Sequence, residues 1–152
     1  MERLGYVAHR PCFYDKFAMV MSTCGMFGAK ETNKFMEGIF NSFGINVVSS
    51  LELQMATQTE KEKALNHEKT IKAVDKLISR IKSGEMNTPT MDQMVRFYIF
   101  KEVSALKKDR YEADYQYYKD KPEFSSNGKV SSTKKKMASK VAIKMLNDLL
   151  GE

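Results

Sequence analysis

A glycine-bearing turn behind an apolar run is the first candidate for chemistry in this chain. The run is Phe17 to Thr23, and the turn is Cys24-Gly25-Met26-Phe27-Gly28. Glycine lets backbone N–H groups approach a ligand closely, and ligands of open α/β sheets bind beyond the carboxyl ends of the strands. The turn is therefore a candidate ligand loop. The alternative is that Gly25 and Gly28 only make a tight strand-to-helix connection.

The sequence offers few residues for metal binding or for histidine- or cysteine-based catalysis. The two histidines, His9 and His67, are far apart, and the two cysteines, Cys12 and Cys24, form no CxxC pair. A zinc site or a histidine-based triad is therefore not expected. The run from Gly25 to Thr32 lacks the spacing of a phosphate-binding P-loop. We expect His9 and the arginine after it to anchor a loop, although both could also reach a phosphate.

The elements around the turn predict an α/β fold. The apolar run is continuous, as in a strand buried on both faces. An amphipathic helix follows over Ala29 to Phe43, and a second strand follows over Ile45 to Leu53. A strand, a crossover helix and a strand make one parallel unit. We predict that this unit belongs to a first domain, residues 1–84.

The remaining residues, 85–152, are predicted to form a helical extension. Long helices are predicted over 89–108 and 132–150, with tyrosines at helical spacing between them, and a further long helix over 60–83 ends the first domain. We expect three helices to have a buried apolar face. The residues are Phe35, Met36, Ile39, Phe40 and Phe43 in the helix over 29–43; Leu65, Ile71, Val74, Leu77, Ile78 and Ile81 in the helix over 60–83; and Met137, Val141, Met145, Leu149 and Leu150 in the helix over 132–150.

Two strands are too few for a free-standing α/β domain. A parallel pair alone leaves both strands as edges with unpaired backbone groups, and two strands rarely persist in water. We therefore expect the chain to form a homo-oligomer or to pair with a separate N-terminal half.

Charge is unevenly distributed along the 152 residues. Residues 1–60 hold five basic and six acidic residues, whereas residues 61–152 hold twenty basic and thirteen acidic ones. Such a basic half can meet nucleic acid or an anionic membrane surface, but a solvated helix surface is favoured. No apolar run is long enough to span a bilayer and no signal peptide is visible, so a cytoplasmic location with reduced thiols is expected.

The order of the segments resembles the second half of flavodoxin-like NAD(P)H-dependent FMN reductases. The resemblance is carried by the stretch ERLGYVAHRP at residues 2–11, by Lys16, by the strand ending in STCG at 22–25 and by GAKE at 28–31. The Tyr-rich segment at 114–119 and the final basic helix also resemble that family's C-terminal extension. The resemblance implies strands four and five of a five-stranded parallel sheet.

What the resemblance implies for function is an FMN site in the turn. Ser22, Thr23, Cys24, Gly25, Met26, Phe27 and Gly28 would line the flavin ring. NAD(P)H would be the electron donor, and flavin reduction by a nicotinamide requires no catalytic acid or base. The cofactor carries out the hydride transfer, and the protein orients it.

Two features distinguish this chain from an intact member of that family. Cys24, Met26 and Phe27 stand where smaller residues are common, and the first half, with its phosphate-binding loop, has no counterpart in the chain. We therefore expect weak or absent FMN binding by the chain alone. The alternatives are a non-catalytic fragment and a basic interaction module that needs a partner chain.

Overall fold

The computed structural model describes residues 5–56, 59–121, 124 and 130–151. Its elements are α1 (Gly5–His9), β1 (Phe17–Cys24), α2 (Ala29–Ser42), β2 (Asn46–Gln54), α3 (Glu60–Ser83), α4 (Met91–Leu106), α5 (Glu112–Lys119) and α6 (Ser132–Leu150). One compact unit, the sheet unit, covers Cys12–Asn87. The other, the helical unit, joins the described residues up to Pro11 to those from Thr88 onward.

The sheet unit is a parallel βαβ unit followed by a long helix. β1 and β2 pair in parallel, and both α2 and α3 pack against the two strands. The register pairs Ala18 with Val47 but Met19 with Ser49, so Val48 is an extra residue in β2. The predicted α/β class with a two-stranded parallel sheet is confirmed. Within the described residues no further strand flanks this pair.

Two asparagines close the sheet unit at the start of the strands. The Asn46 amide donates to the carbonyl oxygens of Tyr14 (2.8 Å) and Lys16 (3.2 Å). Its side-chain oxygen accepts from the Asn87 backbone N–H at 2.9 Å, and the Asn87 amide donates to the Val47 carbonyl at 2.9 Å. Because Asn46 is buried, these bonds satisfy polar groups that water cannot reach.

The prediction that α3 has a buried face was wrong. No residue of this 24-residue helix is buried. Val74 and Leu77 are half-buried, whereas the other four predicted residues are exposed by 43–54%: Leu65, Ile71, Ile78 and Ile81. The reason is width, since two strands lie only about 5 Å apart and cover a narrow stripe of a helix.

The expected burial of β1 on both faces was also wrong. Val20 is 4% exposed, but its neighbour Met21 is 51% exposed. The apolar stripe predicted for α2 holds only in part, because Phe43, just after the helix, is buried and Phe35 is 66% exposed. In β2 the extra residue places Val48 in the core together with Leu51 and Leu53.

The helical unit is built on α4 and α6, which pack together. The Phe97 ring of α4 makes edge-on contacts with three rings, those of Tyr98, Tyr118 and Phe124, at centroid distances of 5.1–5.3 Å. Helix α4 begins at Met91, two residues after the predicted start, because the side chain of Thr90 caps it together with that of Gln93.

The predicted buried face of α6 was wrong by about one position. The buried residues are Ala138, Ala142 and Leu146, whereas all five predicted ones are exposed: Met137, Val141, Met145, Leu149 and Leu150. Ala138 and Ala142 are 0% exposed. Their small side chains allow close approach of two helix backbones, so packing with alanine is favoured over a stripe of larger residues.

The described segment up to Pro11 belongs to the helical unit, whereas residues 12–16 belong to the sheet unit. The hydroxyls of Tyr117 and Tyr118 donate to the carbonyl oxygens of Pro11 and His9. His9 stacks on Phe100 at a centroid distance of 4.5 Å. This placement differs from the expected division after residue 84, which grouped the segment with the strands.

No helix in the described ranges is both long and apolar enough to cross a membrane.

Candidate functional site

The turn after β1 is held against the segment after β2. The backbone N–H of Met55 donates to the Cys24 carbonyl at 2.8 Å, and that of Ala56 donates to the Gly25 carbonyl at 3.3 Å. The parallel ladder thus extends past the end of both strands. The two loops therefore leave the same edge of the sheet side by side.

Gly28 sets the direction of the chain into α2. Its φ of +99° lies in the left-handed region that side chains disfavour, and it is the N-cap of the helix. The N–H and the hydroxyl of Thr32 both donate to its carbonyl oxygen, at 3.0 and 2.8 Å. The Ser22 hydroxyl donates to the Ala29 carbonyl at 2.9 Å. These bonds fix the shape of the turn.

A cleft of about 570 Å³ opens at this edge and is called the strand-end cleft below. That volume lies within the range of small-molecule sites, about 300–1,000 Å³. Two apolar side chains stand at the turn, Met26 with 65% and Phe27 with 87% of its surface exposed. The lining residues are Cys24, Met26, Phe27, Gly28, Ala29, Lys30, Glu31, Glu52, Gln54, Ala56, Glu62, Leu65, Asn66 and Lys69.

Charges of both signs line the strand-end cleft. The carboxylates are Glu31, Glu52 and Glu62, and the ammonium groups are Lys30 and Lys69. The pKa of Glu62 is lowered from its ordinary value because its carboxylate accepts hydrogen bonds from the backbone N–H (2.7 Å) and the hydroxyl (2.9 Å) of Thr59. Glu62 therefore stays ionised and serves as part of the N-terminal cap of α3.

The structure brings four of the seven predicted site residues to the cleft. Cys24, Met26, Phe27 and Gly28 line it. Ser22 instead holds the turn, Thr23 is exposed on the strand, and Gly25 binds Ala56 through its carbonyl oxygen. These three residues are absent from the lining.

Sequence reasoning missed the second half of the cleft. Glu52 and Gln54 come from the end of β2, and Asn66 and Lys69 come from the first turns of α3. The available signal was the parallel unit itself, because the carboxyl ends of parallel strands meet at one edge.

Metal and thiol chemistry receive no support from the described part of the chain. It holds no group of three or more His, Cys, Asp or Glu side chains that could bind a metal ion. Cys12 is exposed, Cys24 is half-buried, and both are free thiols. His9 and Arg10 face Asp114, with Arg10 Nε 2.9 Å and His9 Nδ1 3.6 Å from its carboxylate oxygens. These contacts match the predicted anchoring role.

The strand-end cleft fits the ring of a flavin better than its phosphate. A Cβ built on Gly25 or Gly28 would meet no atom within 4 Å, so the space over the turn is open. The exposed Phe27 ring offers a planar stacking surface. By contrast, the first turn of α2 carries one ammonium and one carboxylate, Lys30 and Glu31, so the side chains add no net positive charge for a phosphate at the helix N-terminus.

Comparison with protein-family models, with curated proteins and with solved structures found no match to this chain.

Proposed function

We propose that the strand-end cleft binds the isoalloxazine ring of FMN and that the chain acts as the second half of a flavodoxin-like NAD(P)H-dependent FMN oxidoreductase. The observation that supports this most is the position of the cleft. It lies where a glycine turn leaves the carboxyl ends of two parallel strands, and its volume is about 570 Å³. The resemblance of the sequence to that family supplies the choice of ligand.

The residues of the turn would bind and orient the ring. The open space over Gly25 and Gly28 admits a ring edge to backbone distance. Phe27 would stack on the ring face, since an exposed aromatic side chain gains most from a planar partner. Bound FMN supplies the hydride chemistry, with NAD(P)H as the electron donor, and the chain supplies position and shielding.

The phosphate group of FMN is expected to contribute little to the affinity of this chain for the cofactor. The cleft carries three carboxylates and two ammonium groups, and no phosphate cradle lies among its described residues. FMN and riboflavin, which differ by that phosphate, should therefore bind with nearly equal affinity. Without phosphate contacts we expect dissociation constants on the order of 100 µM.

Flavin fluorescence tests the proposal. We expect saturable quenching by the purified chain with FMN and riboflavin alike. Phe27→Ala removes the stacking contact and should weaken the binding of both flavins by about 2- to 10-fold. Phe35→Ala is the matched control, because Phe35 is 66% exposed on α2 and does not line the cleft. Absence of quenching at millimolar flavin, or equal losses in the two variants, would contradict the proposal.

A second candidate is an interaction fragment that works only with a partner chain. The observation in its favour is that, within the described residues, β1 and β2 pair only with each other. Each strand thus offers one row of backbone groups for a further strand. In that case flavin binding would require the partner, and light scattering on the flavin sample distinguishes an assembly from a single chain.

A further inference from the structure

A second cavity lies in the helical unit and is independent of the strand-end cleft. It is a groove of about 420 Å³ between α4 and α6, called the lysine groove below. Its lining includes the ammonium-bearing side chains of Lys101, Lys135, Lys136 and Lys140. A cavity of small-molecule size that is lined by four cations favours an anionic ligand.

The start of α6 carries charges of the sign that a helix N-terminus disfavours. Its first turn contains no acidic residue, and three consecutive lysines begin at Lys134. Cations at the positive end of a helix dipole are unfavourable, whereas an anion there is stabilised. The Ser131 hydroxyl accepts from the Lys134 N–H at 3.3 Å. This cap satisfies one backbone donor and adds no negative charge.

A buried tyrosine, whose hydroxyl has no hydrogen-bond partner among the described residues, also lines the groove. Tyr98 lines it and is only 7% exposed. Its ring is fixed edge-on to Phe97 at a centroid distance of 5.3 Å. No described residue forms a hydrogen bond with the Tyr98 hydroxyl, nor is that oxygen among the sealed polar atoms of the described residues. A hydroxyl so placed is available to a molecule in the groove.

One acidic side chain in the groove narrows the choice of ligand. Glu102 lines the cavity, and it makes no ion pair within 4.0 Å with a lysine of the described residues. A carboxylate repels a bare anion but accepts hydrogen bonds from hydroxyl groups. A ligand that carries both a phosphate and hydroxyls satisfies all of these groups.

We propose that the lysine groove binds a small phosphate ester that carries hydroxyl groups, such as a sugar phosphate. Lys136 and Lys140 bind the phosphate at the N-terminal end of α6, and the Tyr98 hydroxyl donates a hydrogen bond to it. Glu102 accepts from a ligand hydroxyl. Because the groove lies between two helices and measures about 420 Å³, a small ligand matches its size better than a nucleic-acid strand or a lipid surface.

Calorimetric titration of the full chain with ribose 5-phosphate, inorganic phosphate and ribose tests this assignment. We expect saturable binding of ribose 5-phosphate at one site, weaker binding of inorganic phosphate and none of ribose. Tyr98→Phe keeps the buried ring and should weaken ribose 5-phosphate binding by about tenfold through loss of one bond to a charged group.

Two double variants separate the groove from general charge. Lys136→Gln with Lys140→Gln removes two groove lysines and should weaken binding by at least about tenfold. Lys134→Gln with Lys144→Gln removes the same charge from lysines of α6 that do not line the groove, and it should change binding by less than about twofold. All four lysines are exposed, so both variants should fold.

Several results would overturn the proposal. One is the absence of ribose 5-phosphate binding at millimolar concentration. Another is an equal loss in the two double variants, which would indicate a diffuse basic surface. A third is binding of single-stranded RNA or of anionic vesicles that depends on all four lysines alike while ribose 5-phosphate fails to compete. Failure of the flavin experiment would not affect this one, because the two sites share no residue.

Discussion

At the scale of single residues, Asn46 does more for the sheet unit than any apolar side chain of its size could. Its amide reaches the carbonyl oxygens of Tyr14 and Lys16, and its oxygen receives the N–H of Asn87. One buried side chain thus ties the segment before β1 to the segment after α3. An apolar residue in its place would remove these bonds from the part-buried Tyr14 carbonyl and Asn87 N–H, whereas the Lys16 carbonyl would keep the backbone N–H of residue 46.

We therefore predict that Asn46→Ala lowers the free energy of unfolding by about 2–3 kcal/mol, measured by urea denaturation. Asn66→Ala is the control, because Asn66 makes one exposed hydrogen bond, to the Gln54 carbonyl at 3.3 Å. It should cost less than about 1 kcal/mol. Equal losses in the two variants would show that the bonds of Asn46 are not the cause.

The residues of the site were predictable only in part. Cys24, Met26, Phe27 and Gly28 follow from the rule that ligand loops leave the carboxyl ends of parallel strands. Glu52 and Lys69 were not predicted, because their place beside the turn depends on pairing between β1 and β2 and on where α3 starts. Tyr98 illustrates a further limit, since helical periodicity predicts burial of a ring but not that its hydroxyl has no partner among the residues that the structure describes.

At the scale of elements, two glycines of the α2 region have opposite roles. Gly44 has a φ of +90°, and a Cβ built on it would lie 3.0 Å from Cδ1 of Tyr14. Gly38 lies inside α2, and a Cβ there would meet nothing within 4 Å. Glycine is required at the first position for conformation and space, whereas at the second it only adds freedom to the unfolded chain.

Alanine at the two positions should therefore change stability in opposite directions. Gly44→Ala should lower the free energy of unfolding by about 2 kcal/mol, because it combines left-handed strain with a close contact. Gly38→Ala should raise it by about 0.5–1 kcal/mol through helix propensity. Thermal unfolding followed by circular dichroism measures both. A stabilising Gly44→Ala would contradict the close packing of Tyr14 on this turn.

Element type was more predictable than element burial. The sequence places α2, β2, α3 and α6 within a few residues of their observed bounds, because apolar spacing and capping residues are local signals. Burial depends on the neighbour. The apolar residues of α3 are exposed because a two-stranded sheet covers little of it, and α6 turns Ala138 and Ala142 inward because α4 approaches it closely.

At the scale of the whole molecule, the edge of β1 that pairs with no described strand favours association between copies. β1 pairs with β2 alone within the described residues, and Met21 on it is 51% exposed. A strand edge whose backbone N–H and C=O groups are unpaired can recruit a further strand. We predict that light scattering shows a mass above that of one chain, rising with concentration. Met21→Lys should shift the midpoint of this association to an about tenfold higher protein concentration.

The matched control for that shift is Phe35→Lys, which adds the same charge at an exposed apolar residue of α2 instead of a strand. We expect it to leave association unchanged. A chain that stays single at every concentration would contradict the prediction. Equal shifts in both variants would assign the association to net charge and not to the strand edge.

The helical unit has a consequence for how the protein is made. The hydroxyl of Tyr118 binds the carbonyl of His9, 109 residues earlier in the chain, while the sheet unit is completed once Asn87 is present. On a ribosome, which adds about 5–20 residues per second, the first segment emerges many seconds before its partners exist. The strands and helices that contact one another in the sheet unit are all synthesised within that interval, whereas the partners of α1 are synthesised only with α4 and α5.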